Sequence, residues 1–229
     1  MIVVGAVQGF VAKSAATLLA SSPASLGLLE KLGVKQASQG YLGVAFLIIA
    51  LLLGIIAASQ IGAVRDEEAS GRLDNLLTRP VSRLEWLLGR VGLSVALLVG
   101  CGATAGVFTW LAASSQHAGV GLWTLIEAGL NATVPSIFVL GAGVLLLGLR
   151  PRVTATVAYG IVAWSLLIQL VGSLVKGSDW LKNSSLFSHI ALAPAAKPDW
   201  GEASLVLLWG LIAAIVGVAL FAGRDLEAT

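Results

Sequence analysis

The stretch RDEEASGRLDNLLTRPVSRLEWLLGR, residues 65–90, is the most polar segment of the chain. It carries ten of the 26 charged residues, yet apolar runs long enough to cross a membrane lie on both sides of it. A charged segment between two membrane spans is either a solvated connector or an element that docks on another surface. The remaining sequence helps to distinguish these two interpretations.

The composition of the whole chain is that of a membrane protein. The 229 residues are 57% hydrophobic and 11% charged, whereas a soluble domain usually carries about 25% charged residues. Several windows hold the roughly 20 mainly apolar residues that a helix needs to cross a bilayer. These runs are continuous, unlike the short alternating strands of a membrane barrel. The sequence therefore predicts an all-α, polytopic membrane helix bundle, with a single transmembrane domain over residues 1–229.

Six membrane spans are predicted, and the polar stretch at residues 65–90 connects the second to the third. The first span is the weakest, because Gln8 and Lys13 interrupt it and no polar residues precede it. We therefore expect the N-terminus to be truncated inside a span. The predicted spans are residues 2–20, 41–64, 91–114, 130–149, 153–175 and 204–222.

The distribution of basic residues predicts the orientation, because cytoplasmic loops are enriched in Lys and Arg. If residues 65–90 are cytoplasmic, that side holds eight basic residues and the opposite side five. Both termini are then cytoplasmic as well. The eight are Arg65, Arg72, Arg79, Arg83, Arg90, Arg150, Arg152 and Arg224.

The first half of the polar stretch has a helical pattern from Arg65 to Leu77, and Pro80 ends it. Glu68 and Arg72 are four residues apart and are expected to pair on a wet face. The opposite, apolar face must be covered by the bilayer surface, by the protein's own helices or by another subunit. The residues alone do not choose among these three. That face consists of Ala69, Leu73, Leu76 and Leu77.

The second half of the stretch predicts another helix that continues into span three. Ser82 followed by Glu85 is the signature of a capping box, in which each side chain bonds the backbone N–H of the other residue. Arg83 and Arg90 are expected to anchor this helix at the lipid headgroups. The stretch is therefore divided into an amphipathic helix, a turn and an interfacial helix.

A few residues within the spans are candidates for roles in helix packing or in transport. Gly102 and Gly106 form a small-xxx-small pair that lets helix backbones approach closely, although glycine is also simply common in membrane helices. Pro135 is expected to kink span four. Polar groups within spans are costly and often functional, although lipid headgroups or neighbouring helices can also accommodate them. The candidates for a translocation path are Gln8, Lys13, Glu127, Asn131 and Gln169.

Known catalytic and nucleotide-binding motifs are missing from the sequence. It contains no G-x-x-x-x-G-K-[ST] phosphate loop, no H-E-x-x-H and no G-x-S-x-G. The single cysteine, Cys101, is expected to be a packing residue, and a net charge of +2 gives no indication of nucleic-acid binding. The sequence therefore predicts neither an enzyme nor a cofactor held by this chain.

The motif EExxGRLDxLLxxPVSR, residues 67–83, resembles the cytoplasmic loop of permease subunits of type-2 ATP-binding-cassette exporters. The likeness is to the branch that exports antibiotics and other drugs, including the tetronasin-type permeases. Further pieces follow in the family's order: Pro135, GLRPR at 148–152, FSH at 187–189, Pro194 and RDL at 224–226. The chain resembles one six-span half of such a permease, chiefly the C-terminal one.

The resemblance implies that the loop is a coupling helix seated in a groove of a separate ATPase subunit, which would hold ATP and Mg²⁺. It also implies a second permease half, either a copy of this chain or a different one. The expected setting is the lipid of a bacterial plasma membrane, with a hydrophobic or amphipathic cargo such as an antibiotic. The residues that match the motif are Glu67, Glu68, Gly71, Arg72, Asp74, Leu76, Leu77, Pro80 and Arg83.

Two other classes of function stay open at this point. The chain could be a membrane enzyme or assembly factor that works without ATP, in which case ionisable residues should cluster on facing spans. It could also be a channel-like or structural oligomer built on the glycine-rich third span. Transport that persists without ATP would distinguish the channel from the exporter.

Overall fold

All regular structure in the described part of the chain is helical. A computed structural model describes residues 1–21, 37–70, 82–171 and 179–223. Two short 3₁₀ helices are also present. Pro151–Val153 directly precedes the helix Thr154–Val171, and Leu186–His189 follows the helix Asp179–Asn183. The α-helices are α1 (Ile2–Ser21), α2 (Ala37–Ala69), α3 (Arg83–Ser115), α4 (Leu122–Leu149), α5 (Thr154–Val171), α6 (Asp179–Asn183) and α7 (Trp200–Gly223).

Five helical segments of the described chain are long and apolar enough to cross a membrane. They are α2, α3, α4, the run Pro151–Val171 that contains α5, and α7, whereas the described apolar part of α1, Ile2–Ala12, is shorter. The predicted polytopic helix bundle is therefore confirmed, and α1 is the weakest of the six predicted spans.

The fourth span differs from its predicted start at Leu130. The helix α4 begins at Leu122, because residues 122–129 continue the same buried stripe through Leu125, Ala128 and Gly129. Pro135 lies inside α4 without ending it. A proline is tolerated there because neighbouring groups in a helix bundle can satisfy the freed backbone.

Consecutive long helices run in opposite directions from α2 onward, so the bundle has two ends. We call the end that carries Arg65, Arg83, Arg90, Arg150 and Arg152 the arginine end. The opposite end, where α3 stops and α4 begins, is called the far end, and it also holds residues 179–199.

Glycines let two helices, α3 and α7, pack backbone to backbone on α4. A methyl group added at Gly102 would lie 2.6 Å from the carbonyl oxygen of Gly129, and one at Gly106 would meet the carbonyl of Leu125. The predicted close approach at this glycine pair of α3 is confirmed. A second contact of this kind, between α4 and α7, pairs Gly141 with Gly210 and is not evident in the sequence.

Candidate functional site

The start of α3 is fixed by the capping box that the sequence predicts. The Ser82 hydroxyl accepts a hydrogen bond from the Glu85 N–H at 3.2 Å, and the Glu85 carboxylate accepts one from the Ser82 N–H at 2.9 Å. Helix α3 then runs unbroken from Arg83 to Ser115. The interfacial helix is therefore the first part of span three, and a displacement of its end moves a single long helix.

Removing this cap should loosen the first turn of α3. We expect Ser82→Ala to speed amide hydrogen exchange at Glu85 about fivefold, because the cap hydroxyl is the acceptor for that N–H. Ser114→Ala is the matched control, since Ser114 bonds a carbonyl within the last turn of the same helix. Equal exchange at Glu85 in Ser82→Ala and the parent protein would contradict the cap.

The helix α2 does not end at Val64 but continues through Arg65 to Ala69. The first part of the polar stretch is thus an extension of span two. Glu68 is only 8% exposed, so its predicted place on a wet face is wrong. The reason is that Glu68 lies one turn beyond Val64, on the face of α2 that turns toward the other helices.

An ion pair joins the two helices that flank residues 71–81. The Arg90 guanidinium of α3 donates to the Glu67 carboxylate of α2, and both side chains are partly buried. The neighbouring pair, Arg65 with Asp66 at 2.9 Å, is more exposed, with Asp66 71% accessible. Partly buried pairs are less screened by water and salt than exposed ones. The Glu67–Arg90 pair therefore holds the base of the loop together.

An apolar cluster lies beside this ion pair and connects four helices. It contains Val64 of α2, Leu87 of α3, Leu147 of α4 and Phe221 of α7, all buried. The Trp86 ring stacks on Phe221 with centroids 6.5 Å apart and an interplanar angle of 29°. We call these five residues the arginine-end cluster. Through it, the start of α3 is packed against the end of the last span.

The loop residues that match the motif fall into two groups. Glu67, Glu68 and Arg83 are described: the first is ion-paired, the second buried, and Arg83 exposed at the start of α3. The others lie outside the described residues, so their roles stay predictions. These are Gly71, Arg72, Asp74, Leu76, Leu77 and Pro80.

Comparison with known proteins identifies the family. The profile of the multidrug efflux system permease Rv1217c, C-terminal domain, matches residues 1–222. The chain belongs to this permease family. It is 28% identical over 228 residues to the multidrug efflux system permease protein Rv1217c of Mycobacterium tuberculosis. The match covers 97% of this chain and 41% of that protein, so the chain spans less than half of the relative's length. The resemblance to an exporter permease is thereby confirmed.

The described candidate path residues of this permease lie in different surroundings. The Tyr41 hydroxyl of α2 donates to Gln8 of α1 at 2.5 Å, which bridges two helices. Glu127 is exposed and Gln169 half-buried, while the Lys13 side chain lies outside the described part. Asn131 is 2% exposed and donates to the Ala191 carbonyl at 3.0 Å. We call residues 179–199 the far-end segment. Although Glu127 and Asn131 are one helical turn apart, Glu127 is exposed, whereas Asn131 is buried and bonded to this segment.

The far-end segment of the permease is held by a serine pair that sequence reasoning missed. The Ser185 hydroxyl donates to the Ser165 carbonyl at 3.0 Å, and the Ser165 hydroxyl accepts from the Leu186 N–H at 3.2 Å. A proline at position 186 would have no N–H for this bond. Phe187 is buried beside it, which supports a structural role for the FSH element.

Proposed function

We propose that this chain is the transmembrane subunit of an ATP-driven exporter and that its arginine end docks on a separate ATPase subunit. The observation that carries the proposal is the set of contacts at the base of the loop. The Glu67–Arg90 pair and the arginine-end cluster link residues 65–90 to α2, α3, α4 and α7. A plain solvated connector has no need for such links. The permease family and the loop motif support the same function.

These contacts explain how a displacement of the loop is transmitted to the membrane-spanning helices. Because α3 is one helix of 33 residues, it is about 50 Å long at 1.5 Å per residue. A displacement at Arg83 is carried along it to the glycine contacts with α4. The Trp86–Phe221 stack carries the same displacement to α7. ATP and Mg²⁺ act on the partner subunit, and this chain changes access to the cargo.

We further propose that the arginine end is cytoplasmic, that the membrane is the plasma membrane of a bacterium, and that a second permease half completes the pathway. The cargo is a hydrophobic or amphipathic compound, such as an antibiotic. A groove of about 560 Å³ between α4, α5 and the far-end segment supports an apolar cargo, because Phe138, Val157, Ile161 and Leu186 line it.

A charge exchange at the loop base tests the proposal in inside-out vesicles that contain the ATPase and a fluorescent hydrophobic dye. We expect Glu67→Arg or Arg90→Glu alone to lower ATP-dependent dye uptake at least about tenfold, because each leaves two like charges partly buried. The double exchange should restore uptake to within about threefold of the parent. Asp66→Arg is the control, since its pair is more exposed and contributes little.

Two outcomes would contradict this account. Dye uptake that is the same without ATP would favour a channel-like protein over an exporter subunit. A double variant as inactive as the single ones would contradict the role of the Glu67–Arg90 pair at the loop base, because the exchanged charges should still attract each other.

A further inference from the structure

The groove between α4, α5 and the far-end segment, which we call the cargo groove, has a volume of about 560 Å³. This is the size of a small-molecule site, which usually measures about 300–1,000 Å³. Along α5 the groove runs from Thr156 to Trp164, a distance of about 12 Å at 1.5 Å per residue. Because Val157 and Trp164 are 37% and 49% exposed, the groove opens on the outside of the bundle, toward the lipid tails.

The cargo groove lies in the half of the membrane next to the arginine end. Thr156 is about 3 Å along α5 from its first residue, Thr154. Trp164 is about 15 Å along the helix, which is half of a hydrocarbon core roughly 30 Å thick. A hydrophobic compound in the arginine-end leaflet therefore reaches the groove from the side, without crossing the middle of the bilayer.

The two ends of the cargo groove differ in the polar groups that a ligand could bond. At the deep end, the Trp164 ring nitrogen donates to the Ser184 hydroxyl at 3.1 Å, and that hydroxyl donates to the Leu181 carbonyl at 2.6 Å. At the arginine end, the Thr156 hydroxyl makes no hydrogen bond within the part of the chain that the structure describes. A bound amphiphile therefore finds its polar contact at the arginine end and an apolar wall deeper in the membrane.

The charges next to the cargo groove are of one sign. No described residue that lines it is charged, and the sequence has neither Asp nor Glu between Glu127 and Asp179. Arg152 lies one helical turn before Thr156, and Arg150 is close by; both are exposed, and Arg150 makes no ion pair with any described residue. A cation in an apolar groove without a carboxylate partner is costly, whereas an anion beside two arginines is stabilised.

We propose that the cargo groove selects lipophilic acids over lipophilic cations. The apolar body of the compound lies along α5, and its anionic group lies at the turn that carries Arg150 and Arg152. That the compound is a cargo rests on the proposed function. The preference for an acid can be measured as binding, with neither ATP nor an ATPase present, so the two can fail separately.

Three fluorescent probes that differ in one group test the charge preference. Each carries a dansyl fluorophore on the same alkyl chain, which ends in a carboxylate, an alcohol or a trimethylammonium group. Binding to the purified chain in phosphatidylcholine nanodiscs is followed by energy transfer from tryptophan to dansyl, and empty nanodiscs correct for uptake by the lipid. We expect the carboxylate to bind at least about tenfold more tightly than the ammonium, with the alcohol between them. Equal or tighter binding of the ammonium probe would overturn the proposal.

Gly160→Phe tests whether the probes bind in the cargo groove. A Cβ added at Gly160 would meet nothing within 4 Å, so the ring fills the groove without displacing the helix. We expect the carboxylate probe to bind at least about tenfold more weakly, because its apolar body loses its place. Gly92→Phe on α3 is the matched control, since Gly92 is equally open and lies outside the groove. Unchanged binding in Gly160→Phe would show that the site is elsewhere.

Arg150→Gln separates the effect of charge from that of the groove. The affinity for the carboxylate probe should fall about threefold, as for an exposed ion pair, while the affinity for the alcohol stays the same. An equal loss for both probes would contradict a role for the charge.

A change of lipid distinguishes a cargo from a resident phospholipid. The alcohol probe should bind equally well in phosphatidylglycerol and phosphatidylcholine nanodiscs, because it carries no charge that the lipid could repel. Loss of its binding in phosphatidylglycerol would mean that an anionic lipid fills the groove, and it would overturn the proposal.

Discussion

A Gly106→Leu chain is expected to lose its folded bundle. The Cβ of any side chain at this position of α3 would meet the Leu125 carbonyl and lie 2.9 Å from the Ile126 Cα. The obstacle is backbone, which cannot rotate away as a side chain can. Overpacking a core costs about 1–3 kcal/mol even where side chains can adjust, and we expect at least the upper end of that range. The measurement is the thermal transition of the purified protein in detergent, together with the yield of monodisperse protein.

Gly100→Leu is the matched control for this experiment. Gly100 lies on the same helix, yet an added Cβ would find nothing within 4 Å. A change of less than about 0.5 kcal/mol is expected there, as for other open positions. If both variants lost the same stability, the close approach of α3 and α4 would not be what holds them together.

Structural features that depend on residues close together in the sequence could be predicted. The capping box depends on Ser82 and Glu85 three residues apart, and the close approach on Gly102 and Gly106 four residues apart, so both are readable as short patterns. The six apolar runs predicted the bundle for the same reason, because membrane helices must be long and continuously apolar.

Structural features that depend on contacts between residues far apart in the sequence could not be predicted. The burial of Glu68 depends on how α2 packs against the other helices at the arginine end, and the Trp86–Phe221 stack joins residues far apart in sequence. The Glu67–Arg90 pair spans 23 positions. The far-end segment shows the same limit, since Asn131 bonds Ala191 across 60 positions. Glu127, one helical turn from Asn131, is likewise a polar residue of this apolar helix, yet its side chain is exposed.

The most direct test of the central claim is a photocrosslink from the arginine end. Arg83 is exposed at the first position of α3 and belongs to the loop motif, so a photoreactive benzoylphenylalanine there should lie against the ATPase. The same group at Trp123, exposed at the far end, is the control. Both proteins are expressed together with the host's ATPases. ATP and vanadate are added to hold the ATPase in its closed state, and the sample is then irradiated. The crosslinked products are identified by mass spectrometry.

The account predicts a strong crosslink from position 83 to a protein that contains a phosphate loop, and none from position 123. It also predicts that the crosslink weakens in the Arg90→Glu variant, because the loop base is then no longer held. A chain that transports its cargo with ATP yet gives no such crosslink at position 83, or gives it equally at position 123, would contradict docking at the arginine end.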